Sequence, residues 1–110
     1  MPDGASLSTH VLDTSRGRPA VGLRVTVLSP AGTELGTGVT DHDGRVPDLG
    51  TGPLPPGEHR LRFATGEWFA ELGVTAFYPE VVIAFTVGDE DHYHVPLLLN
   101  PYGYSTYRGS

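Results

Sequence analysis

The sequence predicts an all-β chain, two antiparallel sheets packed face to face rather than a closed barrel, with one short connecting helix. Three observations lead there. Apolar residues recur at every second position in short runs, the period of a strand with one buried face. The runs are separated by Gly, Pro and Asp clusters at SPAGTELG, TDHDGR, LGTGPLPPGEH and NPYG, which mark turns. Cysteine is absent, so packing alone must hold the core.

Taken in order, the first strand lies in SLSTHVLD, where Leu7, Thr9 and Val11 alternate with Ser8, His10 and Leu12. DTSRGRPA follows as a loop shaped by Gly17, Pro19 and Gly22, with Arg16 and Arg18 as loop charges. Leu23, Val25 and Val27 form the apolar face of the next strand. TDHDGR is expected to be a hairpin turn, with Asp43 and Gly44 left-handed and Arg45 opening the following strand. PLPPGEH supplies rigid φ angles ahead of a strand over 60–64, carrying Leu61 and Phe63. TGEWFAELGV breaks the alternation: Trp68, Phe69 and Leu72 have helical spacing between a Thr65-Gly66 start and a Gly73 stop. Strand period returns at Val81, Ile83, Phe85 and Val87, and an apolar strand over 95–99 leads into a Tyr-rich tail ending Tyr107, Arg108, Gly109, Ser110.

At 110 residues the chain suits a single domain with one hydrophobic core, and residues 1–6 are expected to be a disordered tail. A net charge of −6 argues against duplex nucleic acid or an anionic membrane as partner. No run approaches the roughly 20 apolar residues of a membrane span, and MPDGASLSTH lacks the pattern of a signal peptide, so the expected location is cytoplasmic. All seven basic residues are Arg, which excludes Schiff-base chemistry and leaves guanidinium forks for carboxylates or polarised carbonyls.

Candidate chemistry rests on histidine and arginine. His42 and His59 sit in turn-like sequence and are expected to be solvated. His10 shares a strand face with residues of mixed character. His92 and His94 are two apart, hence on one strand face. His-x-His can offer two metal ligands, with His10 as a third, but no carboxylate at metal spacing accompanies it. A metal-free proton shuttle is the better use of these imidazoles, so neither metal nor cofactor is expected. Arg45 is more than turn formation requires, though a solvated charge would explain it. Imidazole, guanidinium, phenol and hydroxyl together suffice to bind a planar, amide-rich ring and add water to one of its carbonyls. Tyr102, Tyr104 and Tyr107 could equally be a strand surface.

LSTHVLDTSRGRPA, TDHDGR, FYPEV and, above all, HYHVPLLLNPYGYSTYRGS resemble the 5-hydroxyisourate hydrolases, the transthyretin-related proteins of urate breakdown. The likeness runs from about Leu7 to Ser110, and the closing Tyr-Arg-Gly-Ser is its most specific element, separating these hydrolases from the hormone-carrying transthyretins. It implies a transthyretin-like (prealbumin-like) β-sandwich of two four-stranded sheets with one short helix. It also implies a homotetramer, a dimer of dimers, with active sites in the channel between dimers. The family's site residues fall on His10, Arg45, His94, Tyr107 and Ser110, and His92 is left as a supporting or exposed group. The implied activity is that of a cyclic amide hydrolase acting on a small-molecule substrate, 5-hydroxyisourate, to give 2-oxo-4-hydroxy-4-carboxy-5-ureidoimidazoline. In that reading His94 activates water, His10 orients it or returns a proton, with the two exchangeable, Arg45 binds substrate and stabilises the tetrahedral anion, and Tyr107 and Ser110 close the pocket. Tyr107, packed against another subunit, would hold a tail that frays in a monomer. A transthyretin-like carrier of a small ligand and an accessory structural sandwich remain the competing readings.

Overall fold

The computed structural model describes residues 4–110, as nine strands and one helix. These are β1 (Ser6–Asp13), β2 (Arg18–Pro19), β3 (Arg24–Leu28), β4 (Glu34–Val39), β5 (Arg45–Val46), β6 (Gly57–Phe63), α1 (Thr65–Glu71), β7 (Val81–Val87), β8 (His92–Asn100) and β9 (Gly103–Thr106). One sheet runs β4-β3-β6-β7, all antiparallel. The other runs β2-β1-β8-β9, and β5 also pairs with β1. Because β8 occupies one edge of β1 along its whole length, β2 and β5 share the opposite edge, two residues each. The sandwich of two four-stranded layers is therefore present, with one outer position filled by two fragments. The expectation of antiparallel pairing throughout needs correction: β1 and β8 run parallel.

Alternation places the core. β1 buries Leu7, Thr9, Val11 and Asp13 and turns Ser6, Ser8, His10 and Leu12 outward. Opposite them Val25 and Val27 of β3, Leu61 and Phe63 of β6 and Leu97 and Leu99 of β8 are fully enclosed. In α1, Trp68 and Phe69 cover the core, the Trp68 indole N–H donates to the Val21 carbonyl at 2.7 Å, and Gly73, at φ +73°, ends the helical region. At seven residues this helix is the only one described, and it is far too short to cross a membrane.

Several expectations change. Ala5 is buried and exchanges backbone hydrogen bonds with Leu54, and Ser6 opens β1, so order begins before residue 7; residues 1–3 of the expected tail lie outside the described residues. SPAGTELG is only partly a turn, because ELGTGV forms β4. Its glycines hide the strand signal, and the structure explains them: a Cβ on Gly36 would overlap the Leu49 carbonyl oxygen, and one on Gly38 would lie 2.6 Å from Val46 Cγ1. β6 begins at Gly57 rather than 60, which carries His59 into the sheet, 4% exposed against Phe85, instead of into a solvated loop. Arg16 is no idle loop charge. Its Nε donates to the buried Asp13 carboxylate at 2.8 Å while its guanidinium stands 5.7 Å from the Trp68 ring.

The tight contact at Gly36 yields a direct test. Gly36→Ala should destabilise the protein by about 1–3 kcal/mol through overpacking. Gly103→Ala, whose Cβ meets only the Asn100 amide at ordinary contact distance, should stay within about 0.5 kcal/mol. Chemical denaturation of both variants reads the difference.

Candidate active site

The parallel register of β1 and β8 sets Ser6 beside His92, Ser8 beside His94 and His10 beside Pro96, all on the outward face of the sheet. β5 adds the next column, since Arg45 pairs with His10. The turn that delivers Arg45 differs from the expected hairpin. It carries the chain from β4 in one sheet to β5 in the other. The Asp41 carboxylate accepts the backbone N–H of Asp43 and of Arg45, the Gly44 N–H returns to the Asp41 carbonyl, and only Gly44 is left-handed, at φ +76°. Gly44 then docks on β1 by accepting the Val11 N–H at 2.7 Å, leaving no room for a side chain.

The carboxy terminus closes the arrangement. Gly109 donates its N–H to the His94 carbonyl at 2.9 Å, forming an isolated bridge with His94. A Cβ at Gly109 would stand 2.5 Å from His94 Cδ2, so the absence of a side chain lets the tail lie against the imidazole. Arg108 packs over the Tyr93 ring at 4.9 Å. These contacts hold the tail within a single chain, a role expected of Tyr107 against another subunit. They bring Ser110 into a cleft of about 300 Å³ lined by Ser8, Thr9, Arg45, Pro47, His92, His94 and Ser110.

Of the expected site residues, His94, Arg45 and Ser110 share this cleft, and His10 stands at its edge between Arg45 and Pro96. Tyr107 does not join them. It is 58% exposed and lines a neighbouring, mainly apolar groove with Phe85 and Tyr93, touching the cleft only through His94. His92 proves to be a lining residue, and Ser8 is the one that sequence reasoning passed over. Its hydroxyl lies 2.8 Å from His94 Nδ1 and 2.9 Å from His92 Nε2. The signal was legible, because Ser8 precedes His10 by two on one strand and so shares its face. Among the described residues, the one group of three His, Asp or Glu side chains with ligand atoms within 4.8 Å of one another is Asp41, His42 and Asp43, an exposed turn apart from these histidines.

Electrostatics favours an uncharged His94. Partial burial, then the Arg45 cation, then His10 and His92 all hold its pKa below the usual 6.5, so at neutral pH the ring keeps a lone pair. Arg45 is exposed and makes no ion pair among the described residues, leaving its guanidinium free for an anionic or polarised oxygen. A proton acceptor thus shares a small cleft with a cation.

Residues 7–109 match the family model described as the HIUase/Transthyretin family. The chain belongs to that family. A probable 5-hydroxyisourate hydrolase of Schizosaccharomyces pombe is 43% identical over 119 aligned positions, covering 99% of this chain and 94% of that one. The structure of Klebsiella pneumoniae 5-hydroxyisourate hydrolase superposes with a TM-score of 0.87 at 42% identity, covering 96% of this chain and 94% of that one. Sea bream transthyretin in complex with thyroxine superposes with a TM-score of 0.84 at 30% identity, covering 96% of this chain and 95% of that one. Within the HIUase/Transthyretin family one sandwich therefore serves a hydrolase and a hormone-binding protein, and side chains rather than fold must separate the two.

An NMR titration of the His94 imidazole should give a midpoint below 6.5, and Arg45→Gln should move it upward by removing a repelling cation. The linkage has a definite sign. With its folded pKa depressed, His94 contributes stability that is complete above the unfolded value near 6.5 and is lost as pH falls through the folded pKa. A midpoint unmoved in Arg45→Gln would break the assigned electrostatic coupling.

Proposed function

We propose that the protein hydrolyses 5-hydroxyisourate to 2-oxo-4-hydroxy-4-carboxy-5-ureidoimidazoline in purine catabolism. The single observation that carries this reading is the convergence of a neutral imidazole, a guanidinium with no ion pair among the described residues and Ser110 on one cleft. A hormone carrier has no need of that set, whereas lactam hydrolysis uses each member. The Schizosaccharomyces and Klebsiella relatives, both named for this activity, support the same substrate.

In the proposed reaction a water held between His10 and His94 attacks the ring carbonyl. Its proton passes to His94 as the new C–O bond forms, and the carbonyl electrons move onto oxygen. Arg45 stabilises that oxyanion, which the ring's own nitrogens cannot do. Collapse breaks the C–N bond and His94 returns the proton to the departing nitrogen, after which the product acid ionises. Ser110 hydrogen-bonds the substrate from the end of the chain, and Tyr107 closes the pocket. Water, imidazole and guanidinium suffice for every step, so no cofactor enters.

Assembly completes the site in this reading. Among the described residues β7 and β9 are outer strands of their sheets, each paired on one edge only, and Val82, Tyr104 and Tyr107 are exposed on or beside them. These features support a homotetramer, a dimer of dimers, whose central channel brings the open cleft and Tyr107 of neighbouring chains together. The cysteine-free sequence fits a cytoplasmic enzyme.

Freshly generated 5-hydroxyisourate, followed by its absorbance with the spontaneous decay subtracted, tests the activity. His94→Gln and Arg45→Gln should each lower kcat/KM by about 10²- to 10⁴-fold while leaving the fold intact by circular dichroism. A tag after Ser110 should depress turnover more than the same tag before Met1. Saturable binding of the substrate with no turnover above background would favour a carrier instead.

A further inference from the structure

Beyond the cleft itself, β1 and β8 interleave hydroxyls and imidazoles in an unbroken row. Ser6 Oγ lies 2.5 Å from His92 Nδ1, His92 Nε2 lies 2.9 Å from Ser8 Oγ, and Ser8 Oγ lies 2.8 Å from His94 Nδ1. The row starts at the half-buried His94 and ends at exposed Ser6 and His92. Parallel pairing produces it, because residues two apart on each strand meet partners two apart on the other.

Two polarities satisfy the row, and they differ in the tautomer they give His94; the one in which Ser6 donates to the Asp91 carbonyl leaves His94 able to act as a base. Each serine has one proton to donate, and a neutral imidazole has one N–H and one lone pair. The Ser6 hydroxyl can donate to the Asp91 carbonyl, at 3.4 Å, which only accepts. Ser6 then accepts from His92 Nδ1–H, His92 Nε2 accepts the Ser8 hydroxyl proton, and Ser8 accepts from His94 Nδ1–H. That leaves the lone pair of His94 on Nε2, the nitrogen not engaged with Ser8. The reverse polarity would place a proton on Nε2 and disable it as a base.

We propose that Ser8 and His92 are positioning residues that fix the His94 tautomer and carry its excess proton to the edge of the cleft during turnover. This rests on the assignment of His94 as the base. When water gives a proton to His94 Nε2, the Nδ1 proton moves to Ser8 Oγ and the Ser8 hydroxyl proton moves to His92 Nε2. The positive charge then resides on His92, exposed to water and two residues, about 7 Å, along the strand. On collapse of the tetrahedral adduct the C–N bond breaks, the Nε2 proton goes to the departing nitrogen, and both transfers reverse. Protons and charge balance, with all three side chains back in their starting states. The benefit is electrostatic: burial, Arg45 and His10 disfavour a cation on His94, and the row moves that cation away without surrendering the base.

Three measurements test this. Histidine ¹⁵N spectra of the wild-type protein should show His94 protonated at Nδ1, and Ser8→Ala should shift the ring toward the Nε2–H form. Ser8→Ala and His92→Gln should each lower kcat by about 10- to 100-fold with KM changed less than about twofold, and the double variant should be no worse than either single one, as for groups acting as a unit. Ser8→Thr, which keeps the hydroxyl, should restore kcat. A proton inventory in mixed H₂O and D₂O should be curved for the wild type and linear for Ser8→Ala. Wild-type kcat in Ser8→Ala, or an Nε2–H tautomer in the native protein, would overturn the relay. Activity retained by His94→Gln would instead remove the base on which it depends, so the two failures are distinguishable.

Discussion

The parallel pairing of β1 with β8 is the constraint on which the rest of the molecule depends. It joins residues near opposite ends of the chain along eight consecutive register positions. Inside the sandwich it aligns Leu7, Val11, Leu97 and Leu99 in the core and satisfies the buried Thr9 hydroxyl, which donates to the Val95 carbonyl at 2.6 Å. Outside, the same register sets Ser8 against His94. Because side chains alternate with period two, a slip of one residue would push these polar groups inward and the apolar ones into water. Core burial therefore enforces the geometry of the outer face.

Around that pair the neighbours act as clamps of different kinds. β5 is only two residues long, too short to be stable alone, and is held by the Asp41 turn on one side and β1 on the other. The tail is held by Gly109 on His94 and by Arg108 over Tyr93, so a segment that ordinarily frays is fixed by contacts with β8. Here ordering the tail and shaping the site are one event, because the residue that accepts the tail's hydrogen bond is His94.

Much of this was legible in the sequence, for identifiable reasons. Strands with one buried face announce themselves by alternation, as in β1, β3 and β7, and α1 shows its Trp68-Phe69 face and its Gly73 stop. β4 was hidden because close packing on Leu49 and Val46 demands glycine at Gly36 and Gly38, which reads locally as a turn. His59 misled because its neighbours look like a loop while the strand begins three residues earlier than the prolines suggest. TDHDGR has the local chemistry of a hairpin, and nothing local tells that its two arms enter different sheets. Reactivity alone makes His10, Arg45 and His94 candidates and the family resemblance makes them site residues, whereas Ser8, an unremarkable hydroxyl between two imidazoles, is marked by neither. Tyr107 was placed through the family resemblance, and one chain leaves it outside the cleft.

The placing of Arg45 beside His94 looks unfavourable until charge is followed through the proposed reaction. In the resting cleft the guanidinium opposes protonation of the imidazole, which keeps the base in its reactive form. As water adds to the carbonyl, a negative oxygen develops close to Arg45 while His94 takes the proton. The oxyanion then offsets the guanidinium's opposition to that proton at the moment it arrives. With the resting imidazole neutral, the guanidinium meets no like charge in the empty cleft, and its attraction to the oxyanion, present only at the tetrahedral stage, lowers the barrier without tightening ground-state binding. Such a device needs the guanidinium and the imidazole brought to one cleft, and the β5–β1–β8 register brings them there.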